Sequence, residues 1–557
     1  MKLNNIFRTA AVGASLAAAA GAVAQQRPNI IFFLVDDFGW SETSLPFGAD
    51  TCANNRMFHT PNMERLARRG TMLTNAYACS VSTPTRTCLM TGMNPAHMGI
   101  TSFISLYKDI VPDAIGGHPG STNENLDDIF AHPEWNHNAL CPAHLEGEKE
   151  IYGLNHTLFA TPLPQLLRDS GYHTIHVGKA HWGPAGTPGS NPYNMGFVVN
   201  IAGASNGHPK SYLPEENFGN LPGKGDYGSV MNMSQYYGTG VHLTDAITRE
   251  ALRTLDHPLR QQIPFFLYFA HYTNHTPIQR DVRFYQKYID AGLDEGQARY
   301  ASMVEGMDKS LGDVLDFIDE RGIGDNTVLI FYSDNGGHSV GGEKGGQMHT
   351  QNLPLREGKG SVYEGGIRVP MMVCWPGKVA PDTRINTPVC TEDFFPTFLE
   401  LAQVNDAKTV QTTDGQSLVK LFTDGSEYAA AARDRGQVRN QAEATALRIP
   451  QSVSGLADGR PLVFHFPHQL RFEDQEDIDF MSALRKDDWK LVYRMHTGEL
   501  ELYNLADDIG EHNNLAARYP ERVRSMAGEL GEKLRGWKAC MPTVRATGKP
   551  VPLPDEL

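Results

Sequence analysis

The chain has 557 residues and carries 64 Asp and Glu against 49 Lys and Arg, a formal charge of −15. That length is enough for a large core and more than one structural unit. The acidic balance excludes a general nucleic-acid binder, although a cationic pocket within an acidic surface still admits an anionic substrate.

Residues 1–24 read as a secretory leader: Lys2 and Arg8, an alanine-rich run, and Ala22-Val23-Ala24 as an A-x-A cleavage site. Its removal takes away two cations and no acid, moving the charge from −15 to −17. No later run is long enough to span a bilayer. The expected protein is therefore exported, to a periplasm, the cell surface or the medium, with no membrane span. Seven cysteines without a CxxC pair argue against a zinc site or a dense disulfide framework, and the sequence assigns no bridge.

Arg27 to Val35 is a continuous apolar run rich in β-formers, the pattern of a strand buried on both faces. It ends in Asp36-Asp37, adjacent carboxylates that repel unless a cation neutralises them. A solvated turn and a pair of oxygen ligands for a hard metal are both open readings there. A short helix follows from Pro61, with Thr60 as N-cap and Gly70 just past its end, and then a strand over 72–78. Cys79 to Gly92 is a small-residue turn running into a helix. The free N–H groups of such a helix start, with Arg86 one turn inside, suit an oxyanion, whether phosphate, sulfate or carboxylate.

Residues 101–160 and 184–240 are rich in Gly, Pro and Asn with weak periodicity, and loops this long are usually functional or disordered. His118, His132, His137, His144 and His156 lie in the first without zinc-ligand spacing. Between the loops, a helix from Leu163 to Ser170, closed by Gly171, leads into an alternating strand over 172–177. That strand ends in Gly178-Lys179-Ala180-His181, and residues two apart on extended backbone point to one side. A basic surface turn is the plain alternative. His173 and His176 are read as strand residues rather than ligand contacts. Thr244 to Leu255 reads as a helix, and Pro264 to Ala270 as a buried strand leading to His275. Tyr300 to Ile318 forms the clearest amphipathic helix, stopped by Gly322.

Thr327 to Ser333 is a further apolar strand, followed at once by Asp334-Asn335. Lys359 stands in a glycine-rich loop before a strand over 371–375, either close to an anion or solvated. A helix starts at Asp393 and runs through Leu401. The repeated order of apolar strand, polar cluster and helix predicts an α/β sheet with helices on both faces. Ligands of such sheets bind beyond the carboxyl ends of the strands, where the clusters at 36/37, 179/181, 275 and 334/335 all fall. From Ala407 to Arg460 the chain reads as a polar connector. Strands near 462–466, 481–484, 489–493 and 501–505 and a helix over 522–537 then make a small α+β unit. The expected organisation is a leader (1–24), a large N-terminal α/β domain (25–440) and a C-terminal α+β subdomain (441–557).

Ser82-Thr-Pro84-Thr-Arg86 with Thr91-Gly92 resembles the signature of the type I sulfatases, the formylglycine-dependent family of the alkaline-phosphatase-like superfamily. Cys79 lies three residues too early for the Pro and Arg, so Ser82 is the residue in register. Serine there resembles the subset matured by a radical enzyme in anaerobic bacteria. Further pieces occur in the family's order: Pro28-Asn29-Ile30 with Asp36-Asp37, Gly178-Lys179-x-His181, His275-Thr276-Pro277, Asp334-Asn335-Gly336, Gly358-Lys359-Gly360, and Glu501-Leu-Tyr-Asn-Leu505. The likeness runs from Pro28 to Leu515 and departs at Ala180-His181-Trp182, where many members have Trp-His-Leu.

The resemblance implies an alkaline-phosphatase-like mixed sheet with helices on both faces and a smaller C-terminal subdomain. It implies Ca2+ held by Asp36, Asp37, Ser82, Asp334 and Asn335, with Ser82 oxidised to formylglycine as nucleophile. Arg86 holds the hydrated aldehyde, Lys179 and Lys359 neutralise sulfate oxygens, His275 protonates the leaving sugar oxygen, and His181 deprotonates the second diol hydroxyl. The implied partners are a serine-oxidising maturation enzyme and a sulfated glycan of host or algal origin, of galacto- or hexosamine type and cleaved exo. Phosphoester or phosphonate ester hydrolysis, and sulfoglycan binding without turnover, are the competing readings.

Overall fold

The computed structural model describes residues 27–48, 50–104, 130–131, 139–148, 157–223, 228–339, 342–347, 349–435, 446–469 and 479–557. The leader and His118, His132, His137 and His156 lie outside them, and His144 is exposed on a 3-10 turn. Among the described residues nine strands form the central sheet: β1 (Asn29–Val35), β2 (Thr71–Tyr77), β3 (His173–Gly178), β4 (Val199–Ile201), β5 (Phe265–Ala270), β6 (Thr327–Ser333), β7 (Arg368–Cys374), β8 (Thr383–Ile385) and β9 (Val389–Cys390). Their spatial order is β8-β2-β7-β6-β1-β5-β3-β4, with β9 also paired to β2. All pairings are parallel except those of β7, which runs against β2 and β6. Because β7 is reversed, it begins where its neighbours end; its first residue, Arg368, pairs with Tyr77, the last of β2. One edge thus receives the exits of the parallel strands and the loop entering β7.

Side chains alternate across a strand, so Ile30, Phe32 and Leu34 enter one core while Ile31, Phe33 and Val35 enter the other. Helices in the covering layers include α1 (Pro61–Arg69), α2 (Ser82–Thr91), α3 (Leu163–Asp169), α4 (Leu243–Thr254), α5 (Glu295–Glu320) and α6 (Phe394–Leu401). Cys88, Leu163 and Phe398 place α2, α3 and α6 on the first face; Met63, Ile247 and Leu311 place α1, α4 and α5 on the second. Each large apolar side chain removed from water here contributes about 1.5–3 kcal/mol, which is why both faces read as uninterrupted apolar strands.

Local differences from the sequence expectation have identifiable causes. Thr60 occupies the N-cap of α1 but does not cap it through its side chain, which hydrogen-bonds Thr43 and Ser44 instead. Asp308 on α5 takes over, accepting from the N–H groups of Asn62 (3.0 Å) and Met63 (2.8 Å). Gly70 ends α1 in extended rather than left-handed backbone; a Cβ there would lie 2.0 Å from Val373 O, so close approach demands the glycine. α5 begins at Glu295, ahead of its apolar stripe, because Asp294 caps it through a 2.9 Å bond from Gln297 N. β7 starts at Arg368, three residues before the expected run.

The stretch read as a connector is part of the body instead. Leu418, Leu421, Phe422 and Ala429 join the first core, and Gln411 donates to Thr91 O and Thr161 O at 3.1 and 3.0 Å. Beyond it, β10 (Leu462–Phe466), β11 (Met481–Lys486), β12 (Trp489–Arg494) and β13 (Glu499–Asn504) form an antiparallel meander, followed by α7 (Pro520–Trp537). One face packs on Val362, Tyr363 and Ile367 at the entry to β7, the other under Met526, Leu530 and Leu534 of α7. Lys490 of β12 is fully buried between Glu364 (3.0 Å) and Glu511 (2.8 Å), fastening this sheet to the same entry. Among the described residues no helix is long and apolar enough to cross a membrane.

Candidate active site

The carboxyl edge of the sheet gathers every site residue singled out in the sequence around the N-terminus of α2. β1 delivers Asp36, whose N–H donates to Thr273 O at 2.9 Å and whose carbonyl accepts from Asn274 N at 2.6 Å. Neighbouring strand residues point to opposite faces, so Asp37 must leave the strand conformation to share a site with Asp36. It does so with φ of 54°, a left-handed backbone that costs roughly 1–2 kcal/mol outside glycine. β6 delivers Asp334 and Asn335 beside them. Asp36, Asp37 and Asp334 are all buried, and each offers an oxygen within 4.8 Å of the others.

Ser82 is the first residue of α2 and only 3% exposed. Its Oγ lies 3.2 Å from Asp36 Oδ1 and 3.3 Å from Asn335 Oδ1, and accepts from Lys179 Nζ at 3.0 Å. Lys179, carried past the end of β3, also donates to Asp36 Oδ2 at 2.7 Å. Arg86, one turn into α2 and fully buried, grips Asp334 Oδ2 through Nε (2.9 Å) and a terminal nitrogen (2.7 Å), with a third bond of 2.9 Å to Lys179 O. Thr85 Oγ1 donates to Asp334 O at 2.5 Å, so successive residues of the helix hold one strand end. From the β7 side, Lys359 Nζ donates to Asp37 Oδ2 at 2.8 Å.

Charge is dense and solvent scarce here, and the proton affinities shift accordingly. Burial and the neighbouring Asp36 push Asp334 up to about 6, against the pull of Arg86 and Lys179. For Asp37 burial acts in the same direction, but the charges of Lys359 and Lys179 outweigh it and hold the carboxyl well below its usual range. Burial lowers Lys179 despite Asp36; for Lys359 burial is outweighed by Asp37 and Asp36, and the ammonium is strengthened.

Both histidines are neutral. Burial, then the charge of Lys359, takes His275 well below its ordinary value. Its Nδ1–H donates to Thr276 O at 3.1 Å, leaving Nε2 to accept from Lys359 Nζ at 2.9 Å. Burial, then Lys179 and Arg86, lower His181 likewise. Its Nε2–H donates to Ile104 O at 3.2 Å, so Nδ1 is the free base, accepting from Thr83 Oγ1 at 3.1 Å; these tautomers follow from the partners. His181 therefore meets Ser82 through the adjacent Thr83. Trp182, fully buried, donates to Arg86 O at 3.1 Å, and His176 is sealed inside the sheet against Asn200.

The sequence did not reveal the segment that sets both histidines. Ala204 O accepts from His181 N at 3.3 Å, and a Cβ on Gly207 would lie 2.5 Å from His181 Cε1. The next residue, His208, stacks on His275 with centroids 5.6 Å apart and planes at 13°. Tyr212 Oη sits 2.6 Å from Tyr272 O and 2.8 Å from His275 O, fixing the loop that carries His275. All lie in the aperiodic 184–240 stretch. The available signal was Gly207 between Asn206 and His208, a glycine where chains approach closely.

A family model described as Sulfatase matches residues 28–404. A curated "Sulfatase" of Formosa agariphila is 28% identical, covering 92% of this chain and 89% of its own. The N-acetylgalactosamine-6-sulfatase of Mus musculus is 29% identical, over 73% of this chain and 68% of that protein. Among solved structures, Ps i-CgsB in complex with k-i-k-neocarrahexaose superposes with a TM-score of 0.63 at 24% identity, covering 91% of this chain and 93% of that one. That likeness speaks to the fold, the alkaline-phosphatase-like α/β architecture with its small C-terminal sheet. The family match and the relatives together place this chain in the sulfatase family, as a sulfuric ester hydrolase.

Proposed function

We propose that this is an exported glycan sulfatase that removes sulfate from a galacto- or hexosamine-type sugar, with residue 82 as the nucleophile after oxidation to formylglycine. The observation that carries this reading is the convergence on Ser82 Oγ of Asp36 (3.2 Å), Asn335 (3.3 Å) and Lys179 (3.0 Å). A helix-capping serine has no need of a buried ammonium and two oxygen acceptors; a nucleophile does. The sugar class draws on relatives named for N-acetylgalactosamine 6-sulfate.

The cluster fits a hard cation. Asp36, Asp37, Asp334 and Asn335 present oxygen donors, without nitrogen or sulfur among them, and would hold Ca2+. When bound, Ca2+ supplies Lewis-acid charge beside residue 82. Formylglycine at that position supplies a hydrated aldehyde, one hydroxyl to attack sulfur and a second whose deprotonation expels sulfate.

The rest is done by side chains already in place. Arg86 clamps Asp334 through two nitrogens, so that donor cannot swing when the site's charge changes. Lys179 and Lys359 hold positive charge where the sulfuryl oxygens gain negative charge in the transition state. Leaving-group protonation draws on the Lys359–His275 pair, because His275 itself is neutral and its Nε2 shares a proton held on Lys359. An anionic ester seated against both lysines offsets the charge that keeps His275 neutral. His181 Nδ1, held toward Thr83 by the Nε2–H bond to Ile104, accepts the proton of the second hydroxyl.

The experiment uses the full chain produced in an anaerobic host with a radical maturation enzyme. The peptide bearing residue 82 should be lighter by two hydrogens. A panel of sulfated monosaccharides should be cleaved, and the phosphate ester of a matched leaving group far more slowly. Ser82→Ala and calcium chelation should each abolish turnover. Active protein with only intact serine would overturn the nucleophile assignment, and preference for the phosphate ester would overturn the reaction.

A further inference from the structure

We propose that Cys79 and Cys88 form a disulfide that staples the turn before residue 82 to the helix it starts. The two Sγ atoms lie 3.6 Å apart, in direct contact. Cys79 is 8% exposed and Cys88 fully buried in the second turn of α2. The thiols of Cys52, Cys374 and Cys390 instead face oxygens, of Asn55, the Arg69 carbonyl and Asp393. A disulfide would bring the two sulfurs from this contact to roughly 2.05 Å.

The surroundings give the bond a purpose. Cys79 N–H donates to Thr85 Oγ1 at 3.0 Å, and Thr85 Oγ1 donates to Asp334 O at 2.5 Å. A covalent link from Cys79 to Cys88 would tether both ends of the segment that holds residue 82 and, through Thr85, one member of the carboxylate cluster. Burial and the facing Cys79 raise the Cys88 thiol well above its ordinary value, so the less buried Cys79 is the one an oxidant reaches first and Cys88 is the slower, resolving partner.

The step balances with a small disulfide such as oxidised glutathione as the co-reactant. Cys79 thiolate attacks one sulfur of the oxidant, breaking its S–S bond and releasing one thiol. Cys88 thiolate then attacks the Cys79 sulfur of the mixed disulfide and expels the second thiol. Two electrons pass from the cysteine pair to the oxidant, and the two cysteine protons end on the released thiols.

The bridge removes two hydrogens, the same mass change as oxidation of Ser82, so the test must separate them. Trypsin cuts after Arg69, Arg86 and Lys108, putting Cys79 with Ser82 in peptide 70–86 and Cys88 in peptide 87–108. The purified full chain is equilibrated with oxidised glutathione, denatured in N-ethylmaleimide without reductant, digested and analysed by mass spectrometry. The expected result is peptide 70–86 cross-linked to 87–108 in most molecules, with reductant releasing both. A residual two-hydrogen deficit on 70–86 after reduction belongs to Ser82 alone. Reduction should also lower Tm by about 2–5 °C, with no such shift in the Cys79→Ser/Cys88→Ser double variant. Maleimide on both cysteines in most molecules, or Cys79 cross-linked to Cys390, would overturn the proposal, and the cross-link is decisive even if the double variant fails to fold.

Discussion

Lys359→Met offers the sharpest test of how the proton reaches the leaving group. Lys359 Nζ lies 2.8 Å from Asp37 Oδ2 and 2.9 Å from His275 Nε2, with the side chain 17% exposed. Methionine keeps the apolar stem and removes the charge. At an effective dielectric of about 20, two unit charges about 3 Å apart interact by about 5–6 kcal/mol, enough to explain a neutral His275 beside a charged Lys359. Losing a transition-state cation alone costs about 10²–10³ in kcat, or about 2.7–4 kcal/mol. Losing proton delivery as well costs a further factor of about 10²–10⁴. An aryl sulfate, whose leaving oxygen is weakly basic, should show only the first loss; a sugar or alkyl sulfate should show both. The assay is steady-state kcat and kcat/KM on one ester of each kind, with thermal melting to verify the fold. Equal losses on the two esters would refute the shared-proton pair and leave Lys359 as a charge clamp only.

Three further perturbations follow from the geometry. Gly207→Ala places a Cβ 2.5 Å from His181 Cε1, so the ring must shift; kcat should fall by about 10-fold or more with Tm changed little, and an unchanged kcat would remove the 204–208 segment from the positioning role. Lys490→Met strands Glu364 and Glu511 together in a buried site, and denaturant unfolding should register a loss of about 3–5 kcal/mol; a loss under about 1 kcal/mol would refute the buried-pair reasoning. Burial lowers His465 to about 4 from its ordinary 6.5, with Nε2 held by Cys540 O at 2.9 Å. Its neutral form belongs to the folded state, so this contribution is full above pH 6.5 and is lost as pH falls through 4, about 3 kcal/mol in all. Calorimetry across that window should find His465→Gln less acid-sensitive than the parent, and identical acid slopes would count against it.

Much of the site was legible because its residues are tied to strand ends. Once Asp36, Lys179, His275 and Asp334 each follow an apolar run, a parallel sheet brings them to one edge whatever the intervening loops do. Lys359 was harder, since it precedes its strand; only the reversal of β7 puts it on that edge, and strand direction leaves no local trace in an apolar run. The Thr60 cap failed for a related reason, the true cap being Asp308, far away in sequence. The connector was misjudged because its composition is polar overall, while a few spaced apolar residues, Leu418, Leu421, Phe422, Ala429, Ile449 and Leu456, are buried in the first core. Neutral, proton-sharing histidines were beyond the sequence, since they depend on burial and on charges contributed by separate elements.

If residue 82 is oxidised as proposed, its burial sets a clock on biosynthesis. At 3% exposure, behind carboxylates, a lysine and an asparagine, it is closed to any modifying enzyme once the fold is complete. Yet Asn335, which closes its far side, is encoded 253 residues later. At about 5–20 residues per second of synthesis, residue 82 is accessible for about 10–50 s before that side can exist. On the proposed maturation, a mutation that hastens early folding should therefore lower the fraction of oxidised residue 82 without touching a single active-site atom, and one that delays β6 should raise it.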